Sequence, residues 1–177
     1  MAADLLSALK PYCGKAYAGK LLTHAPEDAE MAAKPLVVVI ADCRADEVRM
    51  PFHVGDDRSR TWVLRQLTVN GQTGVQLKHD HRHQDGSSDA LTMYGGFSAM
   101  TDGLTLQFPA DGYSKTMFGA MDRQVAQQNV WSFALVPGQQ LTYRLSRPGR
   151  EFAVGFDLTT PVSLPPAAWG APLWSRQ

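Results

Sequence analysis

The sequence predicts an all-β fold: an antiparallel, up-and-down barrel of about ten strands with a short helix or lid. Three observations carry this. Apolar and polar residues alternate with period two along most of the chain, Gly, Pro, Asp and Asn separate the alternating runs, and short turns rather than helical crossovers join them. Closing such a sheet on itself removes its exposed edges, and a two-sheet sandwich is the runner-up fold.

In chain order the runs are 16–22, 36–44, 48–53, 61–70, 75–83, 90–96, 104–108, 130–136, 141–146 and 151–158. Val48/Met50/Phe52, Leu104/Leu106/Phe108, Trp131/Phe133/Leu135, Leu141/Tyr143/Leu145 and Phe152/Val154/Phe156/Leu158 each form one apolar face. In the last three the opposite positions are mostly small or polar, as expected for a wall with one wet side. Residues 111–128 depart from this pattern, with Met117, Phe118, Met121 and Val125 at helical spacing and Ser114 as a plausible N-cap, so a short helix or lid is expected. The chain's 177 residues suit one domain, with residues 159–177 as a proline-rich tail packed on the barrel and anchored by Trp169 and Trp174.

Lys plus Arg equals Asp plus Glu at 17 each, so no net field favours nucleic acid or an anionic membrane. The longest apolar stretch, "PLVVVIA", is far short of the roughly 20 residues a spanning helix needs, so no membrane span is expected. The start, "MAADLLSALKPYCG", has no basic region leading into a sustained apolar one and does not read as a signal peptide.

Cys13 and Cys43 are the two thiols. If 16–22 pairs antiparallel with 36–44 so that Leu22 faces Lys34 and Ala16 faces Ile40, extending the register sets Cys13 opposite Cys43, within disulfide range. A disulfide implies an oxidising compartment, hence a secreted or periplasmic protein whose targeting segment is absent from this chain. Two buried free cysteines are the alternative.

"LKHDHRHQDG" carries the main functional signal. On a strand Val75, Leu77, His79, His81 and His83 share one face, and Gln76, Lys78, Asp80 and Arg82 share the other. The histidines continue an aliphatic face, so they are expected to point into the barrel. Neighbours on that face stand about 6.7 Å apart along the strand, close enough for His79 and His81 to share a transition metal given further ligands from elsewhere. In the hairpin across "QDGSSD" one register sets Thr92 and Tyr94 beside His79 and His81, and a one-residue slip substitutes Leu91 and Met93. Three readings stay open here: a wet barrel mouth with no ligand, a pocket for an organic molecule, and a metal site.

Arg58 and Arg60 in "HVGDDRSRTW" can clamp a carboxylate or phosphate at the rim, or pair internally with Asp56 and Asp57. No G-x-S-x-G, P-loop, G-x-G-x-x-G or H-E-x-x-H occurs, so hydrolase and nucleotide readings lose their usual support and no catalytic residue is assigned.

"GKAYAGKL" near the start, the succession of strands and the late "LTYRLSR" resemble a lipocalin-like barrel of the calycin type, with Gly14 and Tyr17 where that family opens on Gly-x-Trp. "PFHVGDDRSRTW", "LKHDHRHQDG" with "LTMYGG", "FPAD" and the closing "FDLTTPV" resemble a group of small, uncharacterised bacterial secreted proteins. This second resemblance implies a bacterial, exported origin and carries no activity. The expected function is small-molecule binding inside the barrel, with His79, His81, His83, Tyr94, Arg58 and Arg60 as ligand contacts and one transition metal as a candidate cofactor. An enzyme using the interior histidines as metal ligands or general base, and an exported structural or inhibitory domain, remain as alternatives.

Overall fold

The structure, a computed structural model, describes residues 4–99 and 103–171. Eleven strands form one antiparallel sheet: β1 (Ala16–Leu21), β2 (Leu36–Val39), β3 (Asp42–Cys43), β4 (Glu47–Val54), β5 (Asp57–Val69), β6 (Gln72–His81), β7 (Tyr94–Ala99), β8 (Thr105–Pro109), β9 (Val130–Val136), β10 (Gln140–Arg147) and β11 (Arg150–Asp157). Neighbours run β7-β6-β5-β4-β2-β1-β11-β10-β9-β8, with β3 paired to β4 alone. Ten strands thus pass up and down in sequence order and all but close, as the period-two pattern predicts.

The seam lies between β7 and β8, where Gly96 bridges to Ala110 and the Asp111 N–H donates to the Gly95 carbonyl at 2.9 Å. Gly96 allows this approach, since a Cβ there would overlap the Pro109 carbonyl, and Gly95 allows the close approach of β7 to β6, where a Cβ would overlap the Leu77 carbonyl.

The interior is filled. Phe52 stacks on Trp62 at 4.7 Å between ring centroids, Trp62 stacks on Tyr143 at 4.4 Å, and Phe133 and Phe156 meet Trp62 edge-on. The alternation of strand directions puts the β5–β6 and β9–β10 turns at one end and the β1–β2, β4–β5, β6–β7, β8–β9 and β10–β11 connections at the other. The first end is plugged by α1 (Leu5–Leu9), whose Leu5, Leu6 and Leu9 are buried in the core, and Asp4 caps it by accepting the Ser7 N–H at 2.8 Å. The N-terminal "DLLSAL" holds the cap and the apolar spacing that specify this helix, which the strand pattern alone passes over.

Five expectations need correction. The 36–44 run is two strands, because the β4 ladder slips by one residue where Val39 would face Pro51, which has no N–H to give. The β1–β2 register pairs Ala16 with Val39, not Ile40, and Cys13 closes a 3₁₀ turn (Lys10–Tyr12) rather than extending a strand. Cys13 and Cys43 are nonetheless disulfide-bonded, with Cα atoms 6.2 Å apart.

The 90–96 run starts late, at Tyr94. Asp85 and Asp89 accept the Ser87 and Leu91 N–H groups, turning the chain before the ladder resumes, and Met93 adopts a positive φ of 60°.

The 111–128 segment is a helix, α2 (Gly112–Ala120), followed by a 3₁₀ turn (Gln124–Gln128), broken at Asp122 with φ 55°. Its N-cap is Asp111, not Ser114. The Asp111 carboxylate accepts the Ser114 N–H at 2.9 Å, while the buried Ser114 hydroxyl accepts the Gly95 N–H at 2.7 Å and ties the helix to β7. Phe118 is buried, whereas Met121 and Val125 are exposed.

The tail climbs the outer wall. Val162 bridges to Ala16, and further on the Trp169 N–H donates to the Arg58 carbonyl while Arg58 donates to the Ala167 carbonyl at 2.8 Å. Trp174 lies outside the described residues. No helix among the described residues is long and apolar enough to cross a membrane.

Candidate functional site

Arg60, Trp62 and Leu64 on β5 face His81, His79 and Leu77 on β6 across the ladder. Period two then sends all six side chains to the same side of the wall, the inside. Leu64 and Leu77 are buried deep in the core, Trp62 and His79 sit above them, and Arg60 and His81 come last, at the mouth opposite α1. The strand face thus grades from aliphatic through aromatic to polar along its length.

At that mouth lies a cavity of about 180 Å³. Phe52, Trp62, Tyr143, Leu145, Phe152 and Met31 supply its apolar lining, and Arg60, His79, His81, Tyr94, Arg150 and Asp28 its polar groups.

His79 forms the floor and both of its ring nitrogens are engaged: Nδ1 lies 2.9 Å from the Tyr94 carbonyl and Nε2 lies 2.8 Å from the Tyr143 hydroxyl. A carbonyl can only accept, so Nδ1 carries the proton and Nε2 accepts the Tyr143 O–H. The ring also stacks on Tyr94, with centroids 4.5 Å apart. Burial holds the His79 pKa down to about 3, so the ring is neutral, and burial pushes the Tyr143 hydroxyl well above its usual range.

His81, two residues on, is different. Its backbone N–H donates to Thr92 Oγ1 at 2.8 Å, but its ring nitrogens have no hydrogen-bond partner among the described residues, and the residue lines the cavity. Burial, and then the nearby Arg60 charge, lower its pKa; Asp89, Asp57 and Asp80 pull the other way. The outcome is a neutral imidazole with an open donor and an open acceptor.

The two arginines of the rim also differ. Arg150 is gripped by Asp28 through two parallel bonds of 2.7 Å and by Glu27 at 2.9 Å, which uses up its fork. Arg60 makes one ion pair among the described residues, Nη1 to Asp57 at 2.9 Å, and both partners are partly exposed.

The other expected contacts separate. Tyr94 lies on the cavity wall over His79. Arg58 instead reaches out to the tail carbonyl of Ala167 and lines a depression on the outer surface. β6 ends at His81, so His83 belongs to the turn beyond it; its side chain is 56% exposed, 3.8 Å from Asp89. The metal expectation at His79 and His81 meets two obstacles: the floor imidazole has no free nitrogen, and no three or more His, Cys, Asp or Glu among the described residues converge as a metal site.

Sequence reasoning missed Asp28, Arg150 and Tyr143 as site residues. Arg150 opens β11 and Asp28 ends a 3₁₀ turn (Pro26–Asp28), 122 residues apart, and Tyr143 reads as one more core aromatic until the barrel closes and sets it opposite His79. Comparisons of the chain with models of protein families, with curated proteins and with solved structures find no match.

Proposed function

We propose that this protein is a binding module, a lipocalin-like barrel of small capacity that takes one small, partly apolar molecule into the cavity at its open mouth. The observation that carries this is the rim: the His81 ring and part of the Arg60 fork have no hydrogen-bond partner among the described residues and stand beside an aromatic-lined space, where a ligand can engage them. Size narrows the reading. A dry cavity of about 150 Å³ accommodates benzene, so about 180 Å³ admits one ring with a small substituent. Below the cavity the described residues pack Trp62, Phe133, Tyr143 and Phe156 against one another, where a long acyl chain would have to pass. Export belongs to the same proposal, since a disulfide such as Cys13–Cys43 persists in oxidising compartments.

The test is a titration with phenol, toluene, benzoate and benzylamine, followed by NMR on the Trp62 indole and His81 ring resonances. Saturable shifts at both, lost when Leu145→Trp fills the mouth, are expected. No saturable shift with any of the four would overturn the reading.

A further inference from the structure

We propose, resting on the binding reading above, that the cavity selects a planar single-ring organic anion, an aromatic carboxylate whose acid group lies between Arg60 and His81 and whose ring lies against Trp62, Phe52 and Phe152.

The polar lining is asymmetric in charge. Arg150 and Asp28 neutralise each other in a two-point pair, and Glu27 adds a second carboxylate to that guanidinium, so this side of the rim offers little net charge. The other side carries Arg60, bound to Asp57 through one nitrogen only, with side chains 31% and 41% exposed, a pairing weakened by water and salt. The rest of the Arg60 fork is a donor pair of the geometry that fits a carboxylate. His81 stands directly across the ladder from Arg60 on the same inward face, so its ring N–H adds a further donor at the same place.

The walls explain why the anion is carried on a ring. Phe52, Trp62 and Tyr143 form one stack, at 11° and 24° between neighbouring planes, so Trp62 is stacked on by both neighbours and the cavity lining offers ring edges against which an aromatic ligand packs edge-to-face. A benzoate-sized molecule matches the cavity by volume, as a fatty acid does not. A ring bearing an ammonium group would set its charge against Arg60; a neutral ring would leave the Arg60 fork desolvated and unmatched.

A pH dependence follows. The groups around the His81 ring are Arg60 and Asp57 from β5, Asp80 from β6 and Asp89 from the β6–β7 loop, with Arg150 and Asp28 on the far side of the cavity. Without ligand, burial and Arg60 keep the imidazole neutral. A carboxylate beside it favours the protonated ring, so the anion binds with uptake of a proton and its affinity rises as pH falls from 8 to 5, a range in which carboxylates, titrating near 4, stay charged.

Isothermal titration of the whole chain with benzoate, benzyl alcohol and benzylamine at pH 8, 6.5 and 5 tests this. Benzoate is expected to bind at least ~10-fold more tightly than benzyl alcohol, the size of one charge-assisted hydrogen bond, and to tighten toward pH 5. Arg60→Gln should remove that preference, Arg60→Lys should keep part of it, and His81→Gln should flatten the pH profile of benzoate binding. Equal affinity for benzoate and benzyl alcohol, or a benzoate preference that survives Arg60→Gln, overturns the anion assignment and leaves the binding reading standing. Failure of all three compounds at every pH sinks the binding reading itself.

Discussion

His79 and His81 occupy successive inward positions on one strand, yet one seals the floor of the cavity and the other forms its rim. The opposite wall makes the difference. Tyr143 reaches across the barrel to His79 and the Tyr94 carbonyl takes its second nitrogen, whereas no described side chain bonds to the His81 ring. Two imidazoles of the same strand, face and spacing can therefore do opposite things: the satisfied one is structure, and the unsatisfied one is available for chemistry.

The largest effect should come from the floor. His79→Leu leaves the buried Tyr143 hydroxyl and the Tyr94 carbonyl without their ring partner, at about 1–3 kcal/mol per group, so urea unfolding should lose about 2–6 kcal/mol. Adding Tyr143→Phe should restore part of the loss, because the hydroxyl that lacks a partner is then gone; the two changes should couple by about 0.5–3 kcal/mol. Loss of under about 0.5 kcal/mol for His79→Leu would mean the floor network holds nothing in place.

A second comparison lies on β4. His53 is also buried, but it points outward, beneath the tail residues Pro165, Pro166 and Ala168, and its Nε2 has no partner among the described residues. Burial lowers the pKa of His53 to about 4 and that of His79 to about 3, against 6.5 for a free histidine. Between those values the unfolded chain binds protons that the folded one refuses. Stability is then fully present above about pH 6.5 and falls as pH drops toward 4, by up to about 1.4 kcal/mol per pH unit for each histidine. His53→Leu should cost little at pH 7, since it breaks no hydrogen bond of the ring, and should reduce the slope by one histidine's share. Urea melts at pH 7, 6 and 5 measure this; a slope unchanged by the substitution would show that His53 titrates freely in the folded protein.

These differences mark how far the sequence could be read. The barrel was legible because strand order and facing depend on local alternation, and Val75, Leu77 and His79 declare their side within one run of residues. The direction of His81 followed from the same parity. The failures share a cause in contacts between distant residues or between side chains and backbone. The Asp85 and Asp89 turns delayed β7, Pro51 broke the β2–β4 ladder, and the end of β6 left His83 outside. Whether an inward histidine is engaged depends on Tyr143, 64 residues away, and no spacing rule contains that fact.

The smallest effect should come from the rim. His81→Gln removes an imidazole that bonds to no other described residue and leaves the backbone bond to Thr92 in place, so unfolding free energy should move by no more than about 0.5 kcal/mol at pH 7. The same substitution two residues earlier removes both bonds of the floor. Measuring His81→Gln and His79→Gln side by side in urea therefore tests the contrast directly, since both replace a ring by the same amide. If His81→Gln proved as costly as His79→Gln, the rim imidazole would be holding the barrel together, and the reason for assigning it a ligand would disappear. If it proved neutral, the protein keeps a neutral, half-sheltered histidine beside Arg60 at no benefit to the fold, as expected of a group retained for what enters the mouth.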